Sequence, residues 1–267
     1  MLILGYGVLS GFGLGMAYIV PIAMLQKWFS DKAGLITGIA VGGCGAVITS
    51  PVAGALIAND KAYPTAPLRI LGIAYLIVGV LGALLFANPP KGYRPPGMAA
   101  PAATPTGSAT VAQTGVRDVT QPEALRTPQW YLLTAILALS VTAGISLISQ
   151  AAGAGSAIAG MSAASAATFV GIMALFNGFG RILWAALPDR IGKMPAFVGI
   201  LGIQGLALLA LPHAGSVALF WILAAIVYTC YGGGFGTMPS TAGKFFGVTH
   251  AGGIYGLMLI AWSIGGV

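Results

Sequence analysis

The sequence predicts an all-α membrane protein, and three observations carry that prediction. Of 267 residues, 57% are hydrophobic and only 6% are charged, whereas a soluble domain carries about a quarter of its residues as Asp, Glu, Lys and Arg. Mean hydropathy is +0.92. The apolar residues also fall in runs long enough to cross a bilayer core of about 30 Å, which takes about 20 residues of helix. Inside hydrocarbon every backbone amide needs an internal partner, so runs of this kind must be helical.

Eight candidate spans follow, at 2–26, 33–58, 67–87, 129–151, 163–187, 194–211, 216–243 and from 251 onward. The first has nothing basic before it and is too long for the apolar core of a secretion signal, so it reads as a mature span. It closes at Lys27, and the second opens after Asp31 and Lys32. Asp60, Lys61 and Arg69 mark the turn into the third. The fourth follows Arg126, and the fifth runs to the charged turn at Asp189 and Arg190. The sixth opens beyond Lys193, the seventh ends at Lys244, and the eighth follows His250. Between the third and fourth, residues 89–128 begin with Pro89, Pro90, Pro95, Pro96 and Pro101 and are rich in Pro, Ala, Thr and Gly. Such a stretch neither spans nor packs, so it links two bundles, 1–88 and 129–267.

A formal net charge of +7 raises the question of nucleic acid in a soluble protein. Here the basic residues lie between apolar runs and report topology instead, so no nucleic-acid partner is expected. Lys27, Lys32, Lys91, Arg94, Arg117, Arg126, Arg190, Lys193 and Lys244 share one side, against Lys61 and Arg69 on the other. The richer side is cytoplasmic by the positive-inside rule, and the linker with it. With that orientation the first helix enters from outside, which predicts that an odd number of helices precedes it. The last apolar run reaches Val267 without a closing charge, which predicts that the helix continues. A bundle lacking such helices is expected not to transport by itself. Cys44 and Cys230 lie in apolar segments and pair with nothing obvious, so neither a disulfide framework nor a metal or cofactor site is readable.

Two segments resemble one another. Pro21, Lys27, Trp28, Phe29, Gly34 and Gly38 have counterparts in Pro239, Lys244, Phe245, Phe246, Gly252 and Gly256, with a one-residue slip. A match on either side of a long linker is what a duplicated bundle leaves behind. Small residues also recur every fourth position, at Gly7, Gly11 and Gly15 and at Gly34, Gly38, Gly42, Ala46, Ser50 and Gly54. Such faces let helix backbones approach closely. Either they pack statically, or they move against each other during transport.

Arg181 is the strongest single signal. It lies eight residues before Asp189, about 12 Å up the helix from the cytoplasmic turn at 1.5 Å per residue. A cation at that depth needs water, a partner or a ligand. Asp31, Asp60, Asp118, Glu123 and Asp189 all fall in loops or turns. Either Arg181 snorkels to the cytoplasmic headgroups or pairs with a helix beyond these eight, or an anionic substrate supplies its counter-charge, since a guanidinium fork fits a carboxylate. Asn177 sits one turn earlier on the same face and is suited to a ligand or to a neighbouring helix. Tyr18, Tyr228, Tyr231, Phe235 and Trp262 lie deep enough to line a cavity or to pack. At the turn, Asp189, Arg190, Gly192 and Lys193 offer charge pairs and helix-end contacts for a cytoplasmic latch. His213 and His250 lie in opposite turns with no paired carboxylates, so no converging catalytic set is present and an enzyme is not expected.

Leu187, Pro188, Asp189, Arg190, Gly192 and Lys193 resemble the cytoplasmic loop signature of the major facilitator superfamily, with Ala185 where Gly is usual. Gly13, Gly15, Tyr18, Pro21, Lys27, Trp28, Phe29, Asp31, Lys32, Gly34 and Gly38 resemble its oxalate/formate antiporter family and monocarboxylate-transporter relatives. Asn177, Gly178, Gly180, Arg181, Tyr255 and Gly256 carry the same likeness. The resemblance implies that the chain supplies helices four to eleven of a twelve-helix fold. It further implies an inner or plasma membrane location, a carrier that is monomeric when full length, and a small carboxylate as substrate. It gives Arg181 the role of carboxylate anchor, with Tyr18, Tyr231 and Phe235 as the enclosing aromatics. Trp262 stands where oxalate exchangers have a Lys, which favours a monoanion, and Asn177 stands where monocarboxylate relatives have an Asp. The expected function is secondary transport of small organic anions by exchange or uniport. The alternative is a carrier of a neutral solute or drug in which Arg181 is structural.

Overall fold

A computed structural model describes residues 3–42, 66–90, 93 and 118–266. Among them every regular element is helical. Residues Ile3–Leu9 wind as a wide π-type turn that runs directly into α1, Ser10–Trp28. After a 3-10 turn at Ser30–Lys32 comes α2, Ala33–Val41. The remainder of the expected 33–58 span lies outside the described residues, as do Cys44, Ala46, Ser50, Gly54 and most of the linker. Helix α3 is Ala66–Leu84. Beyond the linker come a short helix α4, Gln121–Ala124, then α5, Pro128–Ile148, and α6, Ala151–Ala159. Helix α7 is Ala163–Ala186, α8 is Pro188–Ile191 and α9 is Lys193–Ala210. Helix α10 is Val217–Phe246, followed by α11, Ala251–Met258, and α12, Ile260–Gly265.

Among the described residues four helices are long and apolar enough to cross a membrane, at Pro128–Ile148, Thr168–Ile191, Lys193–His213 and Val217–Phe246, with shorter apolar helices at Arg69–Leu84 and Ala251–Gly265. Two details depart from the expected spans. The stretch after 151, expected as loop, forms α6 and stops at Gly160, whose φ of 65° suits a residue without Cβ. The last span is broken at Leu259 into α11 and α12.

The core lies between α5, α7, α9, α10 and α11. One buried cluster joins Trp130, Leu137, Phe197, Phe235, Met238 and Tyr255, and a second joins Leu147, Phe169, Met173, Leu211 and Phe220. The opposite faces carry Val198, Leu206 and Leu209 at 70–73% exposure, as lipid-facing surfaces do. Since lipid offers no hydrophobic gain from helix contact, close packing and interhelical polar pairs hold the bundle. Gly180 of α7 meets the Thr229 carbonyl, and Gly232 and Gly236 of α10 meet the Asn177 and Arg181 carbonyls, each with no room for a Cβ. Fully buried Gln204 on α9 donates to the Ser140 carbonyl at 3.1 Å and accepts from the Ser140 hydroxyl at 3.3 Å. Gln26 of α1 donates to Thr37 Oγ1 of α2 at 2.9 Å.

The repeated segments have matching places. Helix α1 packs on α11, and α2 packs on α10. Pro21 lies inside α1 and Pro239 inside α10. Gly34 and Gly38 of α2 press on α7, while Gly252 and Gly256 of α11 press on α1 at Ala23 and Ile19.

Candidate functional site

Arg181 lies between α2 and α10 because its helix is wedged there. A Cβ built at Gly38 of α2 would fall 2.6 Å from the Arg181 carbonyl oxygen, and one at Gly236 of α10 would also collide with it. With glycine faces on both sides, α7 approaches α2 and α10 at backbone distance and the arginine leaves that seam between them. Its Nη1 donates to the Val41 carbonyl at the end of α2, 2.6 Å away. Its Cζ lies 5.6 Å from the centre of the Phe235 ring, a cation–π contact worth about 0.5–2 kcal/mol. Among the described residues no carboxylate pairs with it.

Phe235 in turn meets Tyr231 at 5.3 Å and Trp262 at 5.6 Å, both edge to face. Gly144 of α5 makes the room for the Tyr231 ring, since any Cβ there would strike it. Tyr18 lies close enough to the guanidinium to feel its charge. Five of the six expected binding residues therefore surround one point: Arg181, Phe235, Tyr231, Trp262 and Tyr18. Asn177 is placed differently. Its carbonyl oxygen meets Gly232, and its side-chain Oδ1 would lie 2.7 Å from a Cβ built on Gly232. That Oδ1 is buried without a hydrogen-bond partner, so Asn177 presents its polar atom to the α7/α10 seam.

The cytoplasmic motif is assembled by a second set of contacts. Gly192, at φ 91°, turns the chain between α8 and α9, which accounts for Gly at that position. The turn brings Lys193 Nζ to 3.3 Å from Asp189 Oδ1 and to 3.1 Å from Ser240 Oγ of α10. Asp189 also faces the first turn of α2, its two oxygens 3.1 and 3.2 Å from where a Gly34 Cβ would stand. A carboxylate suits the positive end of a helix. Arg190 takes no part in this set and lies exposed beside Phe179 and Leu187. A cavity of about 370 Å³ opens here, bordered by Gln26, Asp31, Asp189, Lys193, Ser240 and Lys244. The larger cavity, about 530 Å³, lies elsewhere, between Met173, Phe176, Trp184, Ile203 and Trp221. Its lining is mostly apolar and carries no charged side chain.

Two further participants carry no site signal of their own in the sequence pattern, Gly236 and the Val41 carbonyl. The run Gly232, Gly233, Gly234, Gly236 was the available packing signal for the first. A backbone carbonyl leaves none.

The major facilitator superfamily model matches residues 2–267. Three relatives are similar over nearly the whole chain. The uncharacterized MFS-type transporter YhjX of Escherichia coli is 26% identical over 275 residues, covering 100% of this chain and 63% of the relative. The oxalate:formate antiporter of Oxalobacter formigenes is 27% identical over 259 residues, covering 95% and 57%. The apicoplast pyruvate carrier 1 of Toxoplasma gondii is 28% identical over 304 residues, covering 95% and 55%. The chain thus spans between 55% and 63% of the length of these relatives. The described residues are helical throughout, and the family match shows that the chain belongs to the major facilitator superfamily, whose members are membrane carriers rather than enzymes.

Proposed function

We propose that this chain belongs to a secondary carrier of small organic anions, and that Arg181 holds the substrate carboxylate. The observation that carries the reading is an arginine at membrane depth, bordered by aromatic rings and one carbonyl, with no carboxylate partner among the described residues. Among the described residues one donor is committed to Val41, and a guanidinium has five, which leaves the rest of its fork for an anion. Two similar proteins are named for oxalate and formate and for pyruvate, which supports a small carboxylate as the class. Trp262 in place of a second cation favours a monoanion.

Transport then proceeds by exchange or uniport, with the bundles 1–88 and 129–267 rocking about the seam that holds Arg181. The linker stays cytoplasmic, and Asp189 on the first turn of α2 together with Lys193 on Ser240 latches the cytoplasmic side. Closing the seam excludes water from the guanidinium, which strengthens its attraction for the anion. A monomer in a bacterial inner membrane is the expected setting, since two of the similar proteins are bacterial. One observation favours the alternative of a neutral solute: the 2.6 Å bond to Val41 also suits a purely structural arginine.

The test is exchange of labelled formate, pyruvate, lactate and oxalate by the full-length protein in proteoliposomes, wild type against Arg181→Gln. The reading expects exchange of at least one monocarboxylate and its loss in the mutant with folding intact. Equal exchange in both proteins makes the arginine structural.

A further inference from the structure

The hydroxyl oxygens of Tyr18 and Tyr255 are both buried, and among the described residues neither has a well-formed hydrogen bond. Tyr18 comes from α1 and Tyr255 from α11, where it is 1% exposed. The two phenols lie against each other, so each hydroxyl has at most the other as a neighbour, and both lie within the field of the Arg181 guanidinium. They meet because their helices do. A Cβ at Gly252 would stand 2.8 Å from the Ala23 Cβ, and one at Gly256 would stand 3.1 Å from Ile19 Cδ1.

An O–H that donates to nothing is unfavourable in a dry interior, and a second phenol does not satisfy both. A phenol turned toward a cation has no acceptor there. Two unused donors and a cation around one point share a single remedy, a ligand made of acceptor oxygens. A carboxylate offers about four lone-pair sites. An arginine fork takes two of them, and two remain for the phenols.

We propose that Tyr255 is a recognition residue of the transport site, donating with Tyr18 to the oxygens of the anion that Arg181 holds. The inference rests on the anion reading above and adds to it a residue and a coupling. Since the two phenols stand on α1 and α11, one bound anion joins these helices, and occupancy favours the closed seam between them. A neutral solute without a charged oxygen makes this bridge poorly, so the pair also selects for small oxyanions.

Tyr255→Phe removes the hydroxyl and keeps the ring, so packing is retained. In exchange assays on the full-length protein, it should raise KM for the transported monocarboxylate about 10- to 100-fold, the effect of losing a hydrogen bond to a charged group. The maximal rate should change far less, and the thermal midpoint without anion should not fall. Tyr18→Phe should act in the same direction, and the double variant should be less than multiplicative, because both donate to one ligand. An unchanged KM in Tyr255→Phe beside an inactive Arg181→Gln overturns the role of Tyr255 and leaves the anion site standing. A lowered midpoint and maximal rate with KM unchanged overturns it too, by making the residue structural. Wild-type exchange in Arg181→Gln removes the anion reading itself, and this inference with it.

Discussion

The carbonyl of Arg181 is as confined as its guanidinium, and the two constraints have different consequences. The side chain is held by Val41 and Phe235, the backbone by Gly38 and Gly236. Arg181→Lys keeps the charge and loses the fork. It should retain exchange with KM raised about 10-fold or more, because a point ammonium replaces bidentate contact. Phe235→Leu removes the ring face while keeping bulk, and should raise KM about 2- to 30-fold, the equivalent of a 0.5–2 kcal/mol cation–π contact. Both are read from initial rates of labelled-anion exchange. Arg181 itself was legible in the sequence, because one cation far from any acidic residue stands out in an apolar run. Its surroundings were legible only in part. Tyr18, Tyr231, Phe235 and Trp262 could be named by depth and family resemblance, but Asn177, assigned to the same face by helical spacing, turned its oxygen onto Gly232. Four-residue spacing fixes a face to within a turn, and neighbouring backbones decide what that face meets.

Among elements, glycine decides where helices touch. The faces at Gly34, Gly38 and Gly42 read as packing surfaces from spacing alone, and the first two lie against α7 at backbone distance. The partner was not legible, since spacing carries no address. Gly236→Val places two methyls into the Arg181 carbonyl on a buried face, so α7 and α10 must separate. It should destabilise the protein by about 1–3 kcal/mol, seen as a lower thermal midpoint in detergent. Gly38→Leu lies instead on the seam with α2. It should hold the cytoplasmic side apart, so that a cysteine introduced at Ser240 reacts faster with a membrane-impermeant maleimide applied from that side. Unchanged reactivity would mean that the seam does not open there.

A second element-scale device was hidden in a segment read only as linker. Its end, Asp118 to Glu123, clasps the turn between α10 and α11. Asp118 accepts from the Thr249 amide at 3.2 Å and the Thr249 hydroxyl at 2.6 Å, and the Val119 amide donates to the Phe246 carbonyl at 2.9 Å. Thr120 and Glu123 close a capping box on α4. Gly247, at φ 82°, lies directly under the Asp118 carboxylate. Composition reads 89–128 as a linker, and polar contacts reaching across 131 residues leave no periodic trace in it. Gly247→Ala strains a left-handed backbone and displaces Asp118, so it should cost about 1–2 kcal/mol or more, whereas Asp118→Asn should cost about 1 kcal/mol. Thermal unfolding measures both.

For the whole molecule, lipid is the reason so much of the fold was readable. A solvent that forbids open backbone amides forces long apolar helices, and their lengths and flanking charges can be counted. What counting does not supply is which helices meet. The sequence repeat supplied one hint, and it has a spatial counterpart in α1 on α11 and α2 on α10. That arrangement puts Arg181, Tyr18 and Tyr255 where α1 and α2 meet α7, α10 and α11, and on the proposed two-bundle mechanism this seam is where an alternating carrier needs its substrate.

The most direct test of that account is competition. Full-length protein in proteoliposomes exchanges a labelled monocarboxylate while either the unlabelled acid anion or its isosteric amide is added outside. The carboxylate should compete, the amide should not compete at about 100-fold higher concentration, and Arg181→Gln should exchange neither. An amide that competes as well as the carboxylate, or an Arg181→Gln protein that exchanges like wild type, would contradict that account.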